Sequence, residues 1–169
     1  MMHSLETLSE ALGPALQAKG WQLALAESCT GGMVSQAVTA IAGSSGWFDR
    51  GFVTYSNQSK SDMLGVAQAL IQTHGAVSEP VANAMALGAI QHSRAQVSAA
   101  ITGIAGPTGG SLEKPVGTVC FGWAIKTDHE QPVKLVVETR YFEGDRAAIR
   151  EQAASYSLTG LLKLVKTVD

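Results

Sequence analysis

Residues 21–32 read WQLALAESCTGG, in which an alternating apolar run stops at a serine, a cysteine, a threonine and two glycines. Apolar residues then recur at helical spacing, at Met33, Val34, Ala37, Val38 and Ile41. Alternation is typical of a strand, whereas the second spacing is typical of a helix. The stretch therefore predicts a strand that turns directly into a helix.

Two interpretations of this turn are open from the segment alone. The first N–H groups of a helix are unpaired and carry partial positive charge, which favours a phosphate or a developing oxyanion beside Ser28. In the alternative, Ser28 or Thr30 only caps the helix, and Gly31 and Gly32 serve the backbone geometry of an ordinary turn. Other parts of the chain must decide between a site and a cap.

Helical and strand patterns alternate along the rest of the chain. Strand patterns cover residues 47–55, 97–102, 116–126 and 133–142; helical patterns begin behind Ser4, Ser56, Ser78 and near Asp145, with a short one over residues 68–74. We expect a three-layer α/β/α sandwich with a mixed, mostly parallel sheet that includes a C-terminal antiparallel hairpin. Ligands bind such sheets outside the carboxyl ends of strands, where Ser28, Tyr55 and Thr102 would meet.

Composition limits the classes of protein to consider. The 169 residues fit a single domain, residues 1–169. Only 15% are charged, against about 25% in an average domain, which suggests surface covered by another copy in a homo-oligomer, most simply a dimer. A net charge of -2 provides no basic field for nucleic acid.

The expected environment is the reducing cytoplasm. Cys29 and Cys120 are too few for a disulfide framework and show no metal-ligand spacing. The N-terminal residues resemble no signal peptide, and no apolar run reaches the length of a membrane span. We therefore expect neither a metal site nor contact with a membrane.

A serine hydroxyl needs a neighbouring base before it becomes a good nucleophile. The four histidines, at 3, 74, 92 and 129, all lie where solvent is expected, so a Ser-His-Asp triad has no good candidate. Lys60 follows Tyr55 at the end of the second strand, and burial can lower the pKa of a lysine enough to make it a base. Cys29 is a rival nucleophile, although adjacent strand residues face opposite ways and cannot easily share one pocket with Ser28.

Several long motifs occur in order: AESCTGG at 26–32, GFVTYSNQSK at 51–60, LGV at 64–66, GAVS at 75–78, TGIAGPTGGSLEKPVGTV at 102–119 and FEGDR at 142–146. Together they resemble the CinA carboxy-terminal domain family. The resemblance implies hydrolysis of the carboxamide of nicotinamide mononucleotide in pyridine nucleotide salvage, by a serine amidohydrolase without metal or cofactor. It also implies Ser28 as the nucleophile, Lys60 as the general base and Tyr55 as a hydroxyl that relays a proton or orients the nucleophile.

Further residues are expected to bind the substrate, on the basis of the groups that they can offer it. We expect backbone N–H groups of Thr30, Gly31 and Gly32 to stabilise the oxyanion. Ribose and phosphate are expected to contact Ser45, Arg146 and the loop after the third strand, with Thr102, Gly103, Ala105 and Gly106. Two alternatives remain open: a non-catalytic nucleotide-binding module in which Ser28 merely caps, and an amidase for another small amide.

Overall fold

The computed structural model describes residues 3–168. Its elements, in chain order, are α1 (Leu5–Lys19), β1 (Leu23–Glu27), α2 (Met33–Thr39), a 3-10 turn (Ser44–Gly46), β2 (Phe48–Val53), α3 (Asn57–Leu64), α4 (Gln68–His74), α5 (Glu79–Gln91), β3 (Val97–Gly103), β4 (Thr118–Ile125), β5 (Lys134–Tyr141) and α6 (Arg146–Thr167). The alternation of helices and strands follows the sequence pattern closely.

Helix starts follow local cap chemistry. Ser4, Ser56, Ser78 and Asp145 each accept a hydrogen bond from a backbone N–H three residues later, at the N-termini of α1, α3, α5 and α6. Such side chains satisfy one of the N–H groups that a helix start leaves unpaired. The four predicted helix starts are therefore confirmed.

The five strands form one sheet in the order β2-β1-β3-β4-β5. β1 pairs in parallel with both β2 and β3, whereas β4 runs antiparallel to β3 and to β5. The mixed sheet and its C-terminal hairpin are confirmed. Because β2, β1 and β3 run the same way, their carboxyl ends meet at one edge of the sheet, with β1 in the middle.

Buried apolar side chains form two clusters, one on each face of the sheet. The first cluster joins β1, β3 and β4 to α1, α2 and α6, and includes Leu12, Phe121 and Leu158. The second joins the same sheet to α3, α4 and α5, and includes Leu64 and Met85. The molecule thus has the three predicted layers. Among residues 3–168, no helix combines the length and the apolar character needed to cross a bilayer.

Candidate active site

Ser28 lies immediately after β1, at the sheet edge where the parallel strands end. Its N–H donates to the carbonyl of Ile101 at 3.0 Å, which continues the β1–β3 pairing by one residue. Its hydroxyl oxygen lies 3.0 Å from the Nζ atom of Lys60, a residue 32 positions later in the chain. The fold therefore places the predicted nucleophile and the predicted base in direct contact.

Lys60 is held in this contact from α3, with its side chain 1% exposed. Besides Ser28, its Nζ atom contacts the carbonyl oxygens of Thr54 at 2.9 Å and Tyr55 at 3.5 Å. In the described part of the chain, the ion pairs join arginines 50 and 140 to nearby carboxylates, so Lys60 has no carboxylate partner. Desolvation by burial lowers the pKa of Lys60 below its ordinary 10.5.

Three oxygen atoms surround the Nζ atom of Lys60: the carbonyl oxygens of Thr54 and Tyr55 and the hydroxyl oxygen of Ser28. A protonated amine can donate to all three, whereas a neutral amine can donate to two and direct its lone pair at the third. The contact with Ser28 therefore suits both protonation states of Lys60.

Cys29 follows Ser28 in the turn and also contributes to the wall of the cavity described below. Its side chain is 6% exposed and packs in the first apolar cluster. Burial raises the pKa of this thiol from 9.0 to about 11. Because only the thiolate is a good nucleophile, the raised pKa makes Cys29 a weaker candidate nucleophile than Ser28 near neutral pH.

The start of α2 is capped by Glu27, which the sequence analysis did not single out. Its carboxylate accepts hydrogen bonds from the N–H groups of Val34 and Ser35, at 2.9 and 3.0 Å, and from the hydroxyls of Thr30 and Ser35, both at 2.7 Å. The cap residue of the helix is Gly32, and no side chain at that position contributes. The interpretation in which Ser28 caps α2 is therefore wrong, since Glu27 performs that role.

The turn after Ser28 is fixed by its backbone. The N–H of Gly31 donates to the carbonyl of Ser28 at 3.0 Å, while the N–H groups of Thr30 and Gly32 donate to no protein group in the described chain. Arg150, from α6, donates to the carbonyls of Cys29 and Thr30 at 3.0 and 3.1 Å. Of the three expected oxyanion donors, Gly31 is therefore already engaged.

A cavity of about 250 Å³ opens over the hydroxyl of Ser28. Its lining contains seven of the predicted site residues: Ser28, Tyr55, Lys60, Thr102, Gly103, Ala105 and Arg146. Asn57, Ala76 and Val77 complete the wall together with Cys29. Thr30 and Gly106 are adjacent in sequence to lining residues, and Gly31 and Gly32 follow Thr30, but none of the four lines the cavity.

Tyr55 lies at the rim of the cavity, away from the dyad of Ser28 and Lys60. Its side chain is 63% exposed, and its hydroxyl accepts a hydrogen bond from Arg146 at 3.2 Å. In the described chain, that hydroxyl makes no hydrogen bond to Ser28 or Lys60. Tyr55 thus contacts Lys60 through its backbone carbonyl and Arg146 through its hydroxyl.

The loop after β3 forms the wall opposite α3. The hydroxyl of Thr102 donates to the carbonyl of Ala76 at 2.8 Å, and Arg146 donates to the carbonyl of Gly106 at 2.8 Å. A Cβ atom at Gly103 would lie 3.1 Å from the Sγ atom of Cys29 and 2.8 Å from Val119. Glycine at this position therefore lets β3 approach the Ser28 turn closely.

Ser45 is far from this cavity. It belongs to the 3-10 turn before β2, and Phe48 at the start of β2 pairs with Leu23 at the start of β1. Ser28 follows the other end of β1, so the five-residue strand, about 16 Å long, separates them. The expected contact between Ser45 and the ligand is not supported, because α2 carries the chain back to the opposite edge of the sheet.

The profile of the CinA C-terminal domain matches residues 5–165. The chain belongs to the CinA C-terminal domain family. The nicotinamide-nucleotide amidohydrolase PncC of Enterobacter agglomerans is 52% identical over 163 residues, which cover 96% of each chain. The protein of the same name from Escherichia coli K12 is 51% identical over 157 residues, 93% of this chain and 92% of its own. Both relatives thus match the CinA domain over nearly its full length.

Solved structures of CinA relatives have the same fold. A CinA superfamily protein of Escherichia coli is 39% identical, with a TM-score of 0.89 over 95% of this chain and 90% of its own. The competence damage-inducible protein A of Klebsiella pneumoniae is 32% identical, with a TM-score of 0.91 over 99% of this chain and all of its own. The three-layer architecture is therefore shared within the CinA family.

The cavity of this CinA domain brings one serine hydroxyl into contact with one buried amine. Enzymes that form covalent intermediates place a base beside the nucleophile in this way. Within residues 3–168, no group of three or more histidine, cysteine, aspartate or glutamate side chains converges as metal ligands do. Asn57, Ala76 and Val77 were missed as lining residues because they carry no charge or nucleophile, although all three fall inside motifs that mark the family.

Proposed function

We propose that the protein hydrolyses the carboxamide of nicotinamide mononucleotide, giving nicotinate mononucleotide and ammonia, in pyridine nucleotide salvage. The proposal depends most on the 3.0 Å contact between the Nζ atom of Lys60 and the Oγ atom of Ser28 at the floor of the cavity. The relatives called nicotinamide-nucleotide amidohydrolase, 51–52% identical over nearly the whole chain, support the choice of substrate.

In the proposed first step, the neutral amine of Lys60 takes the hydroxyl proton of Ser28 as the Oγ atom attacks the amide carbon. The lowered pKa of Lys60 serves this step, because only the unprotonated amine accepts the proton. The rate should therefore rise as the pH increases through that pKa, and level off at a pH below 10.5.

Attack converts the amide carbonyl oxygen into an oxyanion, which the unpaired N–H of Gly32 is proposed to stabilise. The N–H of Gly31 already donates to the carbonyl of Ser28, and Thr30 is 0% exposed. Protonated Lys60 then gives its proton to the amide nitrogen, the C–N bond breaks and ammonia leaves. This leaves an ester between Ser28 and the nicotinoyl group.

Water completes the proposed cycle. Lys60, neutral again, takes a proton from a water molecule that attacks the ester carbon. Collapse of the second tetrahedral intermediate releases the carboxylate product and returns the proton to Ser28.

Ribose and phosphate are proposed to occupy the wall formed by Thr102, Gly103, Ala105 and Arg146. The guanidinium of Arg146 is exposed at the rim, oriented by the carbonyl of Gly106 and the hydroxyl of Tyr55, and has further N–H donors for a phosphate. On this basis, Tyr55 acts on the substrate through Arg146.

Ammonia release from nicotinamide mononucleotide tests the proposal. We expect Ser28→Ala and Lys60→Ala to lower turnover by about 10³-fold or more, with nicotinamide mononucleotide still bound in calorimetry. Ser59→Ala and Lys166→Ala are matched controls: the hydroxyl of Ser59 donates only to the carbonyl of Ser56, and Lys166 is exposed on α6.

Three results would redirect the proposal. Binding without ammonia release by the unmodified protein would favour the nucleotide-binding module. Release that survives Ser28→Ala would exclude the serine mechanism. Turnover of other small amides in a substrate panel, with none of nicotinamide mononucleotide, would retain the amidase and change its substrate.

The expected homodimer stays a prediction. β5 is an edge strand of the sheet, and it exposes Val136 and Val137 at 37% each and Tyr141 at 66%. An apolar edge strand is a ready place for two copies to pair. Light scattering coupled to size exclusion would test it, with Val137→Lys expected to give the monomer.

A further inference from the structure

Asn57 carries a side-chain amide in the wall of the cavity, and within residues 3–168 that amide bonds to no other protein group. The other polar side chains of the lining are already engaged: Ser28 with Lys60, Tyr55 with Arg146, and Thr102 with the carbonyl of Ala76. A primary amide provides both a hydrogen-bond acceptor and two N–H donors. The cavity therefore contains one side chain whose full hydrogen-bonding capacity is left for a ligand.

An asparagine at a helix start can also serve as a cap, but another residue fills that role here. Ser56 is the N-cap of α3, and its Oγ atom accepts a hydrogen bond from the N–H of Ser59 at 3.1 Å. Asn57 is the first residue of α3 and is exposed while it lines the cavity. Its amide is therefore not needed to satisfy the helix terminus.

Asn57 lies on the face of α3 that carries the candidate base. Residues three apart in a helix are neighbours on its surface, with Cβ atoms about 5–6 Å apart, and Asn57 precedes Lys60 by three positions. Gln58, by contrast, belongs to the outer face, where its amide bonds to the side chains of Asp62 and Gln68. α3 thus presents one amide to the cavity beside Lys60 and a second amide to solvent.

The rest of the lining determines which end of the substrate meets Asn57. Small apolar side chains in the wall suit the faces of an aromatic ring, and they belong to Ala76, Val77 and Ala105. The reacting carboxamide must lie at Ser28, whose partner Lys60 comes from the same helix as Asn57. The carboxamide and the free amide of Asn57 are therefore brought to the same part of the cavity.

The two polar atoms of the carboxamide need different partners. In the proposed mechanism, the carbonyl oxygen becomes the oxyanion, and the nitrogen must lie within reach of Lys60, which protonates it before ammonia leaves. That nitrogen carries two N–H donors, and each of them needs an acceptor once it has left water. Asn57, next to Lys60 on its helix face, provides a side-chain oxygen on this side of the carboxamide.

We infer that Asn57 is a specificity-determining residue, whose Oδ1 atom accepts a hydrogen bond from the carboxamide nitrogen and so favours a primary amide as the group that is cleaved. The inference rests on the proposed amide hydrolysis and assigns the recognition of its leaving group. The carboxylate product has no N–H to donate to Oδ1. This contact therefore holds the substrate and is lost when the product forms.

Two substrates that differ in the leaving group test the contact. The methyl ester of nicotinate mononucleotide carries –OCH₃ in place of –NH₂, so it has no N–H for Asn57, and its hydrolysis by water releases methanol. Asn57→Ala should lower kcat/KM for nicotinamide mononucleotide about 3- to 10-fold, the range of one neutral hydrogen bond, and change that for the ester by less than about 2-fold. Gln58→Ala is the matched control, because it removes the neighbouring amide from the solvent face, and it should change neither value.

The ratio of kcat/KM for the amide to that for the ester is the decisive quantity, since a loss of folded protein or a change at Lys60 affects both substrates. Asn57→Asp keeps the acceptor oxygen and should keep most of this ratio. An unchanged ratio in Asn57→Ala would overturn the inference. So would a ratio that falls as far in Asn57→Asp as in Asn57→Ala, because the contact would then require the NH₂ group of Asn57.

Calorimetry in the Ser28→Ala background separates this inference from the reaction itself. Adding Asn57→Ala should raise the Kd of nicotinamide mononucleotide about 3- to 10-fold and leave the Kd of the methyl ester within about 2-fold. If the unmodified protein released no ammonia but this difference in Kd were measured, the proposed hydrolysis would fail and the contact with Asn57 would stand. An unchanged Kd for the amide, or no binding of either compound, would overturn the contact.

Discussion

Replacement of Glu27 by glutamine is the sharpest test of how the Ser28 turn is built. The carboxylate of Glu27 is 1% exposed and accepts four hydrogen bonds, two from backbone N–H groups of α2 and two from hydroxyls. Glu27→Gln keeps the shape of the side chain and converts one oxygen into an NH₂ donor. In either orientation of the amide, that NH₂ faces one hydroxyl and one backbone N–H.

The size of the effect follows from this mismatch. A hydroxyl can rotate to accept a hydrogen bond, but the N–H of Val34 or Ser35 cannot, so one buried donor loses its partner at a cost of about 1–3 kcal/mol. Loss of the negative charge at the helix N-terminus adds about 0.5–1 kcal/mol. We expect the free energy of unfolding to fall by about 2–4 kcal/mol, which corresponds to a melting temperature lower by roughly 6–12 °C.

Urea denaturation followed by circular dichroism measures this difference directly. Glu10→Gln is the matched control, because Glu10 is exposed on α1 and should change the stability by less than about 0.5 kcal/mol. If Glu27→Gln were as stable as that control, the carboxylate would not be the cap of α2. The reasoning about the whole turn would then have to be abandoned.

Three further predictions follow from burial. Lys60→Met should raise the free energy of unfolding near pH 6, by about 1.4 kcal/mol for each unit by which the pKa of Lys60 is lowered. The gain should shrink as the pH approaches 10.5, because the unfolded chain holds that proton more tightly than the folded protein does, and equal gains in melts at pH 6 and pH 10.5 would contradict this. Cys29, with a pKa of about 11, should resist iodoacetamide at pH 8 in the native protein and react after unfolding, as mass spectrometry can show. Gly88→Ala should cost about 2–3 kcal/mol in urea denaturation, since its Cβ would lie 2.2 Å from the carbonyl oxygen of Leu64. Gly46→Ala should be nearly neutral, since its Cβ would meet only the side-chain nitrogen of Gln17, at an ordinary contact distance of 3.7 Å.

Local chemistry explains what the sequence could predict. Cap residues such as Ser56 and Ser78 act on N–H groups three positions away, so their role can be read from neighbouring residues alone. The meeting of Ser28 and Lys60 spans 32 residues, yet it was also predictable, because adjacent parallel strands bring their carboxyl ends to one edge. Both successes depend on regular geometry.

What the sequence could not predict depends on how side chains turn within that frame. Glu27 caps α2 only because the first turn of that helix lies within hydrogen-bond distance of its carboxylate. The sequence pattern shows only a single acidic residue at the end of a buried strand, so it does not predict this contact. The hydroxyl of Tyr55 bonds to Arg146, which lies 91 residues later and belongs to another layer. Ser45 is a different case. It lies in the loop after β1 and α2, and such a loop returns to the end of the sheet where β1 begins. Its distance from Ser28, at the other end of β1, could therefore have been inferred from the sequence.

The sheet separates two helical layers, and the candidate site is connected to both. Lys60 reaches Ser28 from α3 in one layer, while Arg150 braces the same turn from α6 in the other. A small loosening of either layer therefore changes the alignment of nucleophile and base before the strands themselves separate. Heat should accordingly inactivate the enzyme below its melting temperature. Selection for activity at high temperature should favour pairs of substitutions, one in each helical layer, that make both layers more rigid.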